Sequence, residues 1–168
     1  MFWLLMVAAA CLFDPATDTN SSKPHPVWTL ERLTMGGRAG VKENLFDGRP
    51  MVVAAFATWC EPCASEVPIL NALHREHPSL RIVGVSVDDG PPGKVRSWLA
   101  KHAVQYPVFL PTPEVLAGRS VLGAADDLPL LAFYRADGTR IRRLIGSTPE
   151  RLIVRCLGEL GITPLHTP

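Results

Sequence analysis

The chain has 168 residues, of which 47% are apolar and 20% charged, with 17 Lys and Arg against 16 Asp and Glu. That length suits one domain rather than two, and the composition excludes disorder throughout. The net charge of +1 excludes a basic field that would gather nucleic acid or acidic lipid, and four cysteines are too few for a disulfide-stapled scaffold.

Residues 1–13, Met1 to Phe13, form an apolar run shorter than the roughly 20 residues a membrane-spanning helix needs. It reads as a signal or membrane-anchor segment. Ala8-Ala9-Ala10 before Cys11 resembles the lipobox of bacterial lipoproteins, which makes Cys11 a lipid-anchor candidate. No Lys or Arg precedes the run, and Ala8 stands where a large aliphatic residue is usual. Residues 14–26, rich in Asp, Thr, Asn, Ser and Pro, have almost nothing to bury and read as a flexible tether. The folded domain is expected over 27–162, with 163–168 as a frayed tail.

Within the domain, Trp28–Leu33 and a turn at Gly36-Gly37 suggest a small leading hairpin. Met51 to Ala57 is continuously apolar, as in a strand covered on both faces. A helix is expected from Cys63 to about His77, with Val67, Leu70 and Leu73 inward and Pro68 kinking its interior. Ile82 to Val87 reads as a second buried strand, and Lys94 to His102 as a second helix with Val95, Trp98 and Leu99 on one face. Thr112-Pro113-Glu114 reads as an N-cap and early Pro opening a short third helix. Leu130–Tyr134 and Arg140–Ile145 flank an Asp-Gly turn and predict a hairpin. Ser147-Thr148-Pro149-Glu150 has capping-box spacing and opens a final helix to about Leu160. The order predicts parallel strands joined by helices and then an antiparallel hairpin, an α/β sandwich with helices on both faces.

The chemistry gathers where the first buried strand meets the first helix, in Phe56-Ala57-Thr58-Trp59-Cys60-Glu61-Pro62-Cys63. Two cysteines at this spacing can close a small disulfide ring. The Cys60 thiol is expected to point outward at the helix N-terminus, where free N–H groups and the helix dipole favour its thiolate. Only the thiolate attacks a disulfide, so Cys60 is the candidate nucleophile and Cys63, a turn deeper, the resolving thiol. Pro62 suits the first helical turn. Glu61 places a negative charge beside Cys60, which disfavours the thiolate, destabilises the reduced form and favours a reductant over an oxidant.

These residues resemble the thioredoxin superfamily, whose signature is Trp-Cys-x-Pro-Cys after a buried strand. The closer resemblance is to TlpA/ResA-like thiol-disulfide oxidoreductases, exported and often membrane-tethered bacterial reductants. It is carried by the leading hairpin, Gly48-Arg49-Pro50 before the strand, the cysteine motif, Glu66 and Pro68, and it covers Trp28 to Gly161. It implies a thioredoxin fold, a central mixed sheet flanked by helices, with an N-terminal β-hairpin and an inserted strand-helix unit beginning at Val85-Ser-Val-Asp88. It implies a cis-proline at Pro129, presenting the Leu128 backbone to a substrate chain, with Trp59 as a further contact. The threonines usual after that proline are replaced by Leu130-Leu131, which predicts a more apolar groove. Thioredoxin's buried strand acid is replaced by Ala54, and Glu66 is the family's alternative acid, expected near the dithiol as a proton shuttle.

The resemblance further implies an extracytoplasmic reductant of exported disulfide-bearing proteins, apocytochrome c heme-site cysteines among them. Electrons would come from a membrane donor, with no cofactor beyond the Cys60–Cys63 disulfide. Leu130-Leu131 lack the acidic residue that heme-maturation members carry near this point. No nucleic acid or metal partner is expected, and the chain is expected to be monomeric. A Cys2His2 zinc site with His74 and His77 is refused by geometry, since Cys63 and His74 on one helix would lie about 16 Å apart. Ala57 replaces the Thr that peroxiredoxins need three residues before their reactive Cys, which argues against peroxidase chemistry. Cys156 shares a helix face with Leu152 and Leu160 and reads as core. The contrasting reading is a non-catalytic binding module in which Cys60–Cys63 is a structural disulfide.

Overall fold

The computed structural model describes residues 26–36 and 40–163. The apolar segment 1–13 with Cys11, the tether up to residue 25 and the tail from 164 lie outside the described residues. Strand β1 (Thr29–Glu31) pairs antiparallel with β2 (Lys42–Asn44), forming the expected leading hairpin. The run Met-Val-Val-Ala-Ala-Phe forms β3 (Met51–Phe56), buried at all six positions. It can be so because β4 (Arg81–Ser86) flanks it in parallel and β6 (Leu130–Tyr134) antiparallel. Two more strands, β5 (Val108–Phe109) and β7 (Arg140–Ile145), complete a mixed sheet in the order β5-β4-β3-β6-β7.

Side-chain alternation along β3 divides the core between the two faces of the sheet. Val52, Ala54 and Phe56 join one apolar layer, while Met51, Val53 and Ala55 join the other. The first layer receives helices α1 (Val67–Glu76), α2 (Pro92–Lys101) and α4 (Glu150–Glu159) through Leu70, Trp98, Ile153 and their neighbours. Trp98 stacks on Phe56 with ring centroids 4.7 Å apart, a pairing worth about 0.5–1.5 kcal/mol beyond its buried area. The second layer is closed by Trp28 and Leu30 of the hairpin region and by the one-turn α3 (Pro113–Leu116). Helices thus lie on both faces, but the three long ones share one.

Local signals held in some places and yielded in others. Thr112 Oγ1 accepts the Val115 N–H at 3.4 Å and caps α3 as expected. The β6–β7 turn closes with Gly138 at φ 83° and Asp137 Oδ1 accepting the Thr139 N–H at 2.8 Å. The single kinked helix from Cys63 to His77 is corrected. Residues Glu61–Glu66 form a 3₁₀ segment, and α1 starts only at Val67. Pro68 therefore sits in the first turn of α1, where its missing N–H breaks no helical bond, and no interior kink is needed. The capping box at Ser147 is also corrected. Pro149 occupies the N-cap of α4 and, having no polar side chain, supplies no side-chain cap, while the Thr148 N–H before it donates to Glu66. His77 ends α1 as a buried residue whose Nε2 has no partner among the described residues.

Candidate active site

The parallel register of β3 and β4 pairs Phe56 with Ser86, so both strands end at the same level of the sheet. The chain leaving β3 passes through Thr58 and Trp59 to Cys60, which precedes the 3₁₀ segment with extended backbone at φ −84° and ψ 95°. The Cys60 N–H donates to the Ala57 carbonyl at 3.0 Å and the Cys63 N–H to the Cys60 carbonyl at 3.3 Å. That tight turn brings the two Cα atoms to 5.5 Å, and the cysteines are joined as a disulfide. The pair stands at the strand-to-helix junction that the sequence indicated.

The outward thiol is a correction. Cys60 is only 4% exposed and packs in the same apolar layer as Phe56, Ala57 and Cys63. Its sulfur is bonded to that of Cys63, which is equally buried at 4% exposure. Trp59, 70% exposed, is the large apolar side chain that the loop presents to solvent. Glu61 and Pro62 are exposed on the first turn after Cys60.

Pro129 directly precedes β6. Since Ala55 pairs with Leu130, it lies level with Phe56, at the sheet end from which the cysteine loop departs. The Leu128–Pro129 bond is cis. The Pro129 carbonyl accepts the Gly146 N–H at 2.8 Å, whereas the half-buried Leu128 makes no backbone hydrogen bond within the described residues. The more apolar groove expected from Leu130-Leu131 is corrected. Leu130 and Leu131 are 1% and 0% exposed and alternate into the two core layers, so neither lines a surface groove.

Glu66 ends the 3₁₀ segment and is 5% exposed. Its Oε1 accepts the Thr148 N–H at 3.1 Å. Burial pushes its carboxyl above the usual carboxylate range, against the opposing pull of the Thr148 donors. The Tyr106 phenol, also buried, is raised by desolvation and further by the Glu66 charge. Glu66 and Thr148 border a surface cleft of about 610 Å³ walled by Pro68, Ile69 and Pro149. Ala54 faces the same layer, paired with Gly84 and Leu131, so this strand supplies no acid.

The sequence reading missed Thr58, Ser86 and Asp88. The Asp88 carboxylate accepts the Thr58 N–H at 3.0 Å on each oxygen and the Thr58 hydroxyl at 2.6 Å. Ser86 Oγ donates to it at 2.7 Å and accepts the Asp88 N–H at 3.1 Å. An acid at the carboxyl end of a parallel strand, the usual place for functional groups in such sheets, was the signal that could have found it. Cys156 is a free, buried thiol in the helical layer. No cluster of three or more His, Cys, Asp or Glu able to hold a metal occurs among the described residues.

A mixed five-stranded sheet with a CxxC disulfide at a strand-to-helix turn and a cis-proline at the same sheet end defines a thioredoxin-type protein. More particularly, residues 23–140 match the AhpC/TSA family, and the chain belongs to it. It is 35% identical over 117 residues to the thiol:disulfide interchange protein DsbE of Tatumella citrea, covering 63% of this chain and 62% of that protein. It is 26% identical over 117 residues to the thiol-disulfide oxidoreductase ResA of Bacillus thuringiensis, covering 67% and 66%. The chain spans less than two thirds of the length of the DsbE relatives. The structure of a secreted thiol-disulfide isomerase of Corynebacterium glutamicum superposes with a TM-score of 0.67 at 19% identity, covering 81% of this chain and 84% of that one. That likeness confirms the thioredoxin-type fold.

Proposed function

We propose that this chain is an extracytoplasmic thiol-disulfide oxidoreductase that reduces disulfides in exported proteins. The observation that carries the reading is the Cys60–Cys63 disulfide at the sheet end where the Leu128 backbone, beside Pro129, makes no hydrogen bond among the described residues. In the reduced protein the Cys60 thiolate attacks one sulfur of a substrate disulfide, forming a mixed disulfide and expelling a substrate thiolate. The Cys63 thiolate then attacks Cys60, closing the protein disulfide and releasing the second substrate thiolate. Two electrons pass to the substrate, whose thiolates take up two protons. A membrane dithiol donor returns two electrons to Cys60–Cys63. Glu66, buried at the end of the 3₁₀ segment and bordering a surface cleft, takes the proton from Cys63 as its thiolate forms. Leu128 pairs with the extended substrate backbone, Trp59 covers its side chains, and the Glu61 charge holds the potential low. Apocytochromes c, with their cysteine pairs, are one suitable substrate class, and a tether through the N-terminal segment would keep the enzyme near its donor.

The burial of Cys60 is also what a structural disulfide in a binding module would show, so the test must trap chemistry. Cys63→Ser leaves Cys60 without its resolving partner. Mixed with cell-envelope proteins, this variant is expected to accumulate a mixed disulfide through Cys60 that Cys60→Ser cannot form. No such adduct, together with an inert wild-type dithiol in an insulin reduction assay, would falsify the redox reading.

A further inference from the structure

Given the redox reading of Cys60, we infer that Asp88 is a positioning residue for the reactive cysteine, acting through Thr58 on the loop that delivers it. Three donors from two neutral residues converge on this one carboxylate, and no ion pair among the described residues involves it. Thr58 gives both its main-chain and its side-chain donor, at 3.0 and 2.6 Å. Hydrogen bonds from two groups of one residue fix its orientation as well as its place. Thr58 is two residues before Cys60, in the only stretch between the end of β3 and the dithiol. The anchor itself is stiff, because Ser86 closes β4 and both donates to and accepts from Asp88.

The arrangement follows from register. Phe56 and Ser86 are partners in a parallel ladder, so the residues two steps beyond each, Thr58 and Asp88, leave the sheet side by side. An exposed Trp59 and a tightly turned Cys60 follow Thr58, whose bonds to Asp88 are, among the described residues, the side-chain bonds that tie this loop to the end of β4. Without the carboxylate, Thr58 loses its fixed point and the Cys60 sulfur its aim. The charge also matters in kind. Asp88 and Asp89 face the loop from the β4–α2 side together with Lys94, across a cleft of about 240 Å³, while Glu61 and Glu66 lie on the helix side. Removing one negative charge from this set favours the Cys60 thiolate, and through it the reduced form.

Three variants of the full chain separate these effects. Thr58→Val removes the hydroxyl bond without changing charge, Thr58→Ser keeps it, and Asp88→Asn removes the charge and weakens the brace. The rate per Cys60 thiolate at which the reduced protein reacts with the aromatic disulfide DTNB, the thiolate fraction being taken from its pH titration, is expected to fall on the order of tenfold in Thr58→Val and Asp88→Asn, as for a misaimed nucleophile. Thr58→Ser is expected to retain most of it. The thiolate absorbance of Cys60 as a function of pH is expected to move to lower pH in Asp88→Asn and to stay near the wild-type curve in Thr58→Ser. If both the rates and the thiolate titrations of all three variants coincide with the wild type, whatever happens to Tm, Asp88 is only a structural tie. A wild-type protein that fails to react with DTNB sinks the redox reading instead, while the thiolate titration of Asp88→Asn still decides whether Asp88 acts on Cys60.

Discussion

At Glu66 a carboxyl group is buried with hydrogen bonds from Thr148 and no cation paired to it among the described residues. Burial without a counter-charge disfavours the ionised form. Its folded pKa is raised, so the protonated carboxyl adds stability that is fully present below the unfolded value and lost as pH rises through the folded one. Glu66→Gln keeps an oxygen to accept from Thr148 and cannot ionise. Its Tm is therefore expected to exceed that of the wild type at neutral pH, with the gap closing as pH falls below the ordinary glutamate pKa. Thermal melts across that range check it, and a gap that widens toward acid pH would show that Glu66 is stabilised as an anion. The same substitution should flatten the pH dependence of disulfide reduction if Glu66 carries the Cys63 proton. An unchanged profile would leave Glu66 a purely structural residue.

Among the elements, β4 shows how a strand interior can be set by what leans on it. Gly84 pairs with Ala54 on one side and Val108 on the other. A Cβ at Gly84 would lie 2.9 Å from Val108 Cγ2 and 3.2 Å from Tyr106 Cε2. Gly84→Ala is expected to destabilise the fold by about 1–3 kcal/mol through overpacking, read as a lower denaturation midpoint with an unchanged slope. A neutral or stabilising result would mean that the β4–β5 pair shifts freely. Nearby, Asn71 of α1 shows how buried polarity is satisfied. Its Nδ2 donates to the Ala103 carbonyl at 2.9 Å and its Oδ1 accepts the Gln105 N–H at 2.8 Å. Those bonds tie α1 to the segment that carries Tyr106 toward Glu66. Helix and strand identities were legible because their periodicities are local. The point where the 3₁₀ segment becomes α1 was not, because a proline reads alike in a helix interior and in a first turn.

For the whole molecule, the disulfide couples redox state to stability. Closing a ring this small restrains the unfolded chain by roughly 2 kcal/mol, and on the proposed reading the negative charges of Glu61 and Asp88 add to this by disfavouring the thiolate of the reduced form. Both effects favour the oxidised protein, as a reductant requires. The oxidised form is therefore expected to unfold with a free energy about 2 kcal/mol above the reduced form, equivalent to about 40 mV in potential. Chemical denaturation of both forms measures this directly. A reduced form that is the more stable of the two would make the protein an oxidant.

The ring that Cys60 and Cys63 can close and the early Pro62 could be read along the chain, because their spacing carries its own geometry. The places of Pro129 and Glu66 at the site were implied by the family resemblance. Three-dimensional packing settled the rest. It buried Cys60, sent Leu130 and Leu131 into opposite core layers, and gave the Thr148 amide to Glu66, 82 positions away. It also set Asp88 against Thr58. These outcomes depend on strand register and on which donors compete for one carboxylate, and no local periodicity encodes a contact between residues that meet only when the sheet has formed.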